Sequence, residues 1–297
     1  MAATKVALVG AAGNLGPAIL SALLDAGFRV TVLTRHDSKS TFDARAHVAR
    51  VDYDSLDSLI AAFEGNEVVV NTLGVGAIPR AIHIRLVDAA VAASVKRFIP
   101  SEFGSDTTHL ATAKLPVFAD KVYVQQYLRQ ISQQSSLTYT LLVNGPFLDW
   151  GLRTGFLLDL SSPVTTLYDG GDRKFSTTTL KGVGKAIVGI VNHPEETKNT
   201  ATFVSEACLS QKDLLSLIGK SPQTQSVSTV DAEKESYAEL AKPSPNFHAA
   251  AVGFLRRGIF GDGFGSLFNQ DKLSNELFGI EMLSQEELQK IAAESCP

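Results

Sequence analysis

The sequence predicts an α/β protein: a doubly wound parallel sheet with a smaller C-terminal lobe. Three observations predict it. Short β-rich apolar runs alternate with helical patterns through the first 150 residues, the runs are nearly continuous, and glycines crowd the junction between the first run and the first helix. Strands covered by helices on both faces read as unbroken apolar runs. Alternating β and α with right-handed crossovers then builds an open parallel sheet.

KVALVG (5–10) reads as the first strand and NLGPAILSALLDAG as the helix after it, ending at Gly27. FRVTVLTR (28–35) is the second strand and HVARVDY (47–53) the third. In SLDSLIAAFEG, Ser55 is placed to cap a helix that buries Leu59, Ile60 and Phe63. EVVVNTLG (67–74) is the fourth strand, HIRLVDAAVAASV (83–95) a helix, and KRFIPSEFG (96–104) contains the fifth strand. VYVQQYLRQISQQ (122–134) is a further helix and TYTLLVNG (138–145) the sixth strand.

From about residue 151 the pattern loosens. VTTLYDGGDRKFSTTTL (164–180) reads as a hairpin around Asp169-Gly170-Gly171-Asp172. GVGKAIVGIVNHP (182–194) reads as a helix, ATFVSEA (201–207) as a strand, GIFGDGFGSLF (258–268) as Gly-Phe-rich loops and SQEELQKIAAES (284–295) as a last helix. The expected organisation is a nucleotide-binding domain over 1–150 and a mainly substrate-binding lobe over 151–297, some of whose elements return to the sheet. The lobe would cover the C-terminal strand edges, where open α/β sheets bind ligands.

Composition narrows the function. Of 297 residues 44% are hydrophobic and 20% charged, the balance of a soluble globular chain, and a net charge of −4 offers no footprint for nucleic acid. Cys208 and Cys296 lie too far apart in sequence for a metal-ligand motif, so no metal and a reducing, cytoplasmic compartment are expected. Asn14 and Pro17 interrupt the first apolar core, which argues against a signal peptide. No apolar run approaches the roughly 20 residues of a spanning helix, so no membrane partner is expected.

The glycines Gly10, Gly13 and Gly16 follow G-x-x-G-x-x-G after a strand and before a helix, the context of a Rossmann-type dinucleotide site. Gly10 would permit the tight turn, Gly13 a close approach to pyrophosphate, and Gly16 close packing of helix on sheet. With Ala12, Asn14 and Leu15 they present a helix N-terminus to phosphate. The second strand ends in Thr34-Arg35, not an acid, and Lys39 follows. A guanidinium pairs with a 2′-phosphate that an acid would repel, so the expected cofactor is NADP(H). Asp52 and Tyr53 fall where the adenine would border, and Thr72, Leu73, Gly74 and Ser101 lie at the ends of the next strands.

For the chemistry, Tyr-x-x-x-Lys is absent: Tyr123 is followed four positions on by Tyr127, and Tyr139 by Val143. No Ser-His-Asp arrangement, zinc spacing or Gly-Lys-Ser/Thr loop occurs, and the six histidines are scattered.

VALVGAAGNLG, VKRFIPSEFG (95–104), Phe118-Ala-Asp-Lys121 and TYTLLVNGPF (138–147) resemble the NmrA-like atypical short-chain reductases, within them the isoflavone reductase and phenylcoumaran benzylic ether reductase branch. The segment VNGPFLDWGL (143–152) resembles the fungal members of that branch. The resemblance covers nearly the whole chain, and I-P-S-E-F-G is its most specific signature. It implies that Lys121, in the F-x-x-K context, is the catalytic acid or base, with Lys114 the rival within reach in sequence. It also implies that Phe103, Asn144 and Phe147 lie near the nicotinamide. Two positions depart from the family: His83 stands where Gln is common, and Ala12 where Thr is frequent.

The expected activity is NADPH-dependent reduction of a small aromatic or conjugated metabolite by a monomer or homodimer. Two alternatives stay open: a non-catalytic NADP-sensing regulator, and a redox-neutral isomerase or lyase.

Overall fold

Seven parallel strands make the central sheet of the computed structural model, which describes residues 4–74 and 78–295. They are β1 (Lys5–Val9), β2 (Arg29–Arg35), β3 (His47–Val51), β4 (Val68–Asn71), β5 (Arg97–Ile99), β6 (Thr138–Val143) and, after β7 (Val164–Tyr168) and β8 (Phe175–Thr177), β9 (Thr200–Phe203). The order β3-β2-β1-β4-β5-β6-β9 reverses direction between β1 and β4, the switch point where such sheets bind ligands.

Strand β1 shows why its sequence lacks alternation. Val6 and Leu8 pack on one face with Ile19 and Leu23 of α1 (Gly16–Asp25), while Ala7 and Val9 pack on the other with Leu59 and Phe63 of α2 (Leu56–Phe63). The α2 face is extended by α3 (Arg80–Ala92) and, after the short α4 (Leu110–Ala113), by α5 (Ala119–Gln134). After α6 (Leu148–Arg153), helix α7 (Leu180–Asn192) returns to pack beside α1. The approach is close enough that a Cβ on Gly184 would stand 2.8 Å from the Ala18 carbonyl oxygen, so this position excludes a side chain. Ser55 accepts a hydrogen bond from the Ser58 N–H, the cap its sequence context predicts.

Beyond α7 the chain forms β10 (Ala207–Leu209), α8 (Gln211–Ile218), β11 (Gln223–Val227), α9 (Thr229–Leu240), α10 (Phe247–Phe260), α11 (Asn275–Phe278) and α12 (Gln285–Ser295). The hairpin expected over 164–180 does not form. Instead β7 pairs in parallel with β11, and β8 pairs antiparallel with β10. At the turn, Asp169, Gly170 and Gly171 all take left-handed conformations (φ 46°, 81° and 78°). The Asp169 carboxylate is drawn outward to the Thr229 N–H (2.8 Å) and hydroxyl (2.5 Å), so the turn redirects the chain rather than folding it back.

Three further expectations shift. The segment ATFVSEA divides between β9, which pairs with β6 at the sheet edge, and the start of β10. Gly258–Phe260, expected as loop, form the last turn of α10. Helix α5 begins at Ala119, which puts Lys121 in its first turn. No helix among the described residues is long and apolar enough to cross a membrane, and no metal-binding cluster of His, Cys, Asp or Glu occurs among them. Cys296 lies outside the described residues.

Candidate active site

The turn after β1 is shaped by what its glycines exclude. Gly10 has φ +86°, and a Cβ there would stand 2.7 Å from the Thr72 hydroxyl and 3.0 Å from the Leu73 nitrogen. The same Thr72 hydroxyl donates to the Val9 carbonyl at 2.8 Å, which ties the ends of β1 and β4 together. A Cβ on Gly16 would lie 2.5 Å from the backbone of Ala11. The sequence reading assigned Gly16 to helix–sheet packing; the constraint comes instead from the turn itself. Ala12, Gly13 and Asn14 are exposed, while Leu15 is buried and anchors the start of α1. No side chain caps α1, and its first turn holds no acid. This open, uncapped N-terminus fits an anionic pyrophosphate.

At the end of β2, Arg35 is exposed, and its Nε lies 3.7 Å from the Asp37 carboxylate, a loose solvent-facing pair. Lys39 is exposed a few residues on. Asp52 and Tyr53 follow β3 rather than end it. Asp52 is exposed; the Tyr53 hydroxyl donates to the Leu33 carbonyl at 3.2 Å, and burial pushes its pKa up to about 12. At the end of β4, the Asn71 carbonyl Oδ1 accepts from the Leu73 N–H (3.1 Å). That fixes the amide, so Nδ2 donates to His83 Nδ1 at 3.0 Å. Burial lowers the pKa of His83, opposed by Asp120 and helped by Lys121. Gly74 is exposed beside this edge and Ser101 is half-buried after β5.

Lys121 occupies the other half of the site. Its Nζ donates to the carbonyl oxygen of Glu102 and lies 5.9 Å from the centre of the Phe118 ring. Burial pulls the ammonium below the ordinary lysine pKa, while the Glu102 carboxylate pushes the other way. That carboxylate accepts from the Thr107 hydroxyl (2.7 Å) and Gln125 Nε2 (3.0 Å), which holds the S-E-F-G loop in place. Lys114 is exposed at the end of α4 and does not line this cavity.

Lys121 faces a cavity of about 560 Å³ that also takes in Phe103, Gly104, Phe147 and Trp150. Trp150 meets Phe147 edge-on at 6.4 Å and Phe156 at 6.1 Å, which makes an aromatic wall. Gly145, with φ +66°, turns the end of β6 into the cavity; a Cβ there would fall 2.0 Å from the Ser176 carbonyl oxygen. Asn144 is not in the lining. It is wholly buried and its Nδ2 donates to the Gly145 carbonyl at 2.7 Å.

The structure thus brings Phe103, Lys121 and Phe147 together and leaves Asn144 behind them. Sequence reasoning passed over the far wall: Trp150, Phe156 and one face of α10 carrying His248, Val252, Leu255, Arg256 and Ile259. The spacing of those five positions, close to multiples of 3.6, was the signal available.

The NmrA-like family model matches residues 2–251. Oxidoreductase aprR of Aspergillus flavus is 40% identical over 237 residues, covering 78% of each chain. Bifunctional pinoresinol-lariciresinol reductase 2 of Linum usitatissimum is 25% identical over 289 residues, 88% of this chain and 87% of that one. Among solved structures, AtPrR2 with NADP+ and (+)pinoresinol superposes with a TM-score of 0.79 at 22% identity, covering 98% of this chain and 99% of that one.

Proposed function

This chain belongs to the NmrA-like family, and on that premise we infer that it is an NADP(H)-dependent oxidoreductase that reduces a small aromatic or conjugated metabolite, with Lys121 as general acid or base. One observation carries the reading: a half-buried lysine with a lowered pKa faces an aromatic-walled cavity beside the ends of the parallel strands. The cofactor fits what the glycine turn excludes and leaves open. Gly10, Ala12, Gly13, Asn14, Leu15 and Gly16 would hold the pyrophosphate, and Arg35 and Lys39 the 2′-phosphate. Asp52, Tyr53, Thr72, Leu73, Gly74 and Ser101 would complete that side, with Phe103, Lys121 and Phe147 towards the nicotinamide.

NADPH, when bound, supplies the hydride. The chain's own residues do the rest. Phe103, Phe147 and Trp150 exclude water and offer flat faces to an aromatic substrate. The Lys121 amine, held by the Glu102 carbonyl, delivers or removes a proton at the substrate atom that gains or loses charge. The part of the chain after residue 151 would supply one side of the substrate cavity, through Phe156 and α10, and the enzyme would work as a monomer or homodimer in the cytoplasm. The sensing alternative gives the amine no task.

Replacement of Lys121 by Ala is the test. NADPH binding, followed by nicotinamide fluorescence, is expected to persist while turnover falls by about 10²–10⁴-fold. Unchanged turnover would remove Lys121 from the mechanism; loss of cofactor binding would give it a structural role instead.

A further inference from the structure

The cavity lining carries a second cation besides Lys121. Arg256, half-buried on α10, lines the cavity with His248, Trp150 and Phe156. Its Nε is buried and has no hydrogen-bond partner. Its neighbour Arg257 shows the usual arrangement, with Nε 2.9 Å from the Glu233 carboxylate and a second bond to the Thr229 hydroxyl at 2.7 Å. Among the described residues, no carboxylate forms an ion pair with Arg256. Asp159 in the cavity lining is exposed and accepts from the Ser161 N–H (2.9 Å) and hydroxyl (2.6 Å); those bonds hold its carboxyl below the usual range, with a weaker contribution from the Arg256 charge but no direct ion pair.

The guanidinium is also oriented. Its carbon sits 5.0 Å over the ring of Tyr168, which stacks on Phe260 at 5.3 Å with the rings 6° from parallel. The Tyr168 hydroxyl takes one hydrogen bond from the guanidinium, and Nε–H keeps no partner, a donor open to a carboxylate. A half-buried cation with an unpartnered N–H and no direct ion pair loses hydration that a bound anion restores. The cavity that Arg256 shares with Lys121 is lined by Phe103, Phe118, Phe147, Trp150 and Phe156.

We propose that the substrate is an aromatic or conjugated acid whose carboxylate is held by Arg256 while its reducible end lies at Lys121. This rests on the reductase reading above and deepens it: Arg256 is a specificity-determining residue that selects acids over their neutral esters and amides.

Trp150 is the single tryptophan of the chain and lines the cavity, so its fluorescence reports occupancy directly. The probes are 4-hydroxycinnamate, its methyl ester and its amide, titrated into the protein with and without saturating NADP+. The acid is expected to bind at least about tenfold tighter than the ester or amide, and the preference to vanish in Arg256→Gln. Arg256→Lys, which keeps the charge and loses the planar fork, should retain only part of it. Thermal melting checks that the variants are folded. Equal affinity for acid and ester, a preference that survives in Arg256→Gln, or no quenching by the acid at millimolar concentration would each overturn the proposal. NADPH binding, read separately from nicotinamide fluorescence, judges the reductase reading. A protein that selects acids through Arg256 without binding NADPH keeps the carboxylate site and loses the reductase.

Discussion

The glycine turn and the aromatic cavity flank the same sheet edge, yet they are built from different materials. The turn is backbone: Gly10 at φ +86°, Gly16 against Ala11, and the Thr72 hydroxyl bonded to the Val9 carbonyl. The cavity is side chains drawn from three distant stretches: Phe103 and Lys121, then Phe147 to Phe156, then the face of α10. The backbone side tolerates little addition: at Gly16 the obstruction is the main chain of Ala11, which cannot rotate away, and at Gly10 the positive φ strains any side chain. A side-chain site tolerates exchange and can be retuned for a new ligand without disturbing the fold. The comparison explains how one cofactor edge would serve many substrates.

The largest effects should fall on the backbone side. Gly10→Ala places a methyl group 2.7 Å from the Thr72 hydroxyl on a backbone conformation that L-residues avoid. About 2 kcal/mol or more of strain is expected. That lowers Tm by about 5 °C in scanning calorimetry. NADPH affinity should fall by at least about 30-fold, since the same strain opens the phosphate turn. Phe156→Ala, on the cavity side, should leave NADPH affinity within about twofold and raise the substrate KM by about tenfold, the loss of one aromatic contact. Equal cofactor losses in the two variants would break the distinction between the two regions.

The same contrast explains what could be read from the chain. The six strands and the turn were legible because their signals are local: an apolar run, a glycine at fixed spacing, and Ser55 before a helical pattern. The hairpin over 164–180 was misread because Asp-Gly-Gly-Asp is a strong turn signal. The partners that decide the pairing, Gln223–Val227 and Ala207–Leu209, lie far along the chain. Helix α10 went unread for a similar reason. Its apolar residues serve two bodies: Ala250 and Phe254 pack into a cluster with Leu115 and Phe118, Val252 and Ile259 face the cavity, and Leu255 touches both. No single stripe results, and Gly253 and Gly258 dilute the pattern further. Asn144 illustrates the remaining gap. It stands beside Gly145 and Phe147 in sequence, but the positive φ of Gly145 turns the chain, so the neighbours enter the cavity and Asn144 stays inside the core.

A smaller effect sharpens the cofactor side. Arg35 is exposed and its pairing with Asp37 is loose, so removing it should not unsettle the fold. Arg35→Ala is expected to weaken NADPH by about tenfold and NADH hardly at all if, as proposed, the guanidinium pairs with the 2′-phosphate. Titration of both cofactors checks this. Equal losses would mean that the arginine contributes a general positive field rather than reading the phosphate.

The smallest effect concerns the proton at Lys121. Burial holds its folded pKa below the ordinary lysine value of 10.5, so the folded chain sheds this proton at a lower pH than the unfolded chain does. Between the two values the unfolded state binds more protons, and stability rises with pH. The contribution is complete above 10.5 and is lost as pH falls through the lowered value. Lys121→Met removes the titrating group, so its unfolding free energy in urea should lack that rise while the wild-type chain shows it. The two curves, normalised above 10.5, should separate as pH falls from 10.5 to the folded pKa and run parallel below it, with the variant the more stable at neutral pH. Activity should mark the same point. In the reductive direction, where the ammonium donates, kcat/KM falls as pH rises through the lowered pKa. A stability difference without a matching limb in the pH–rate profile would leave a lysine that is buried but plays no part in proton transfer.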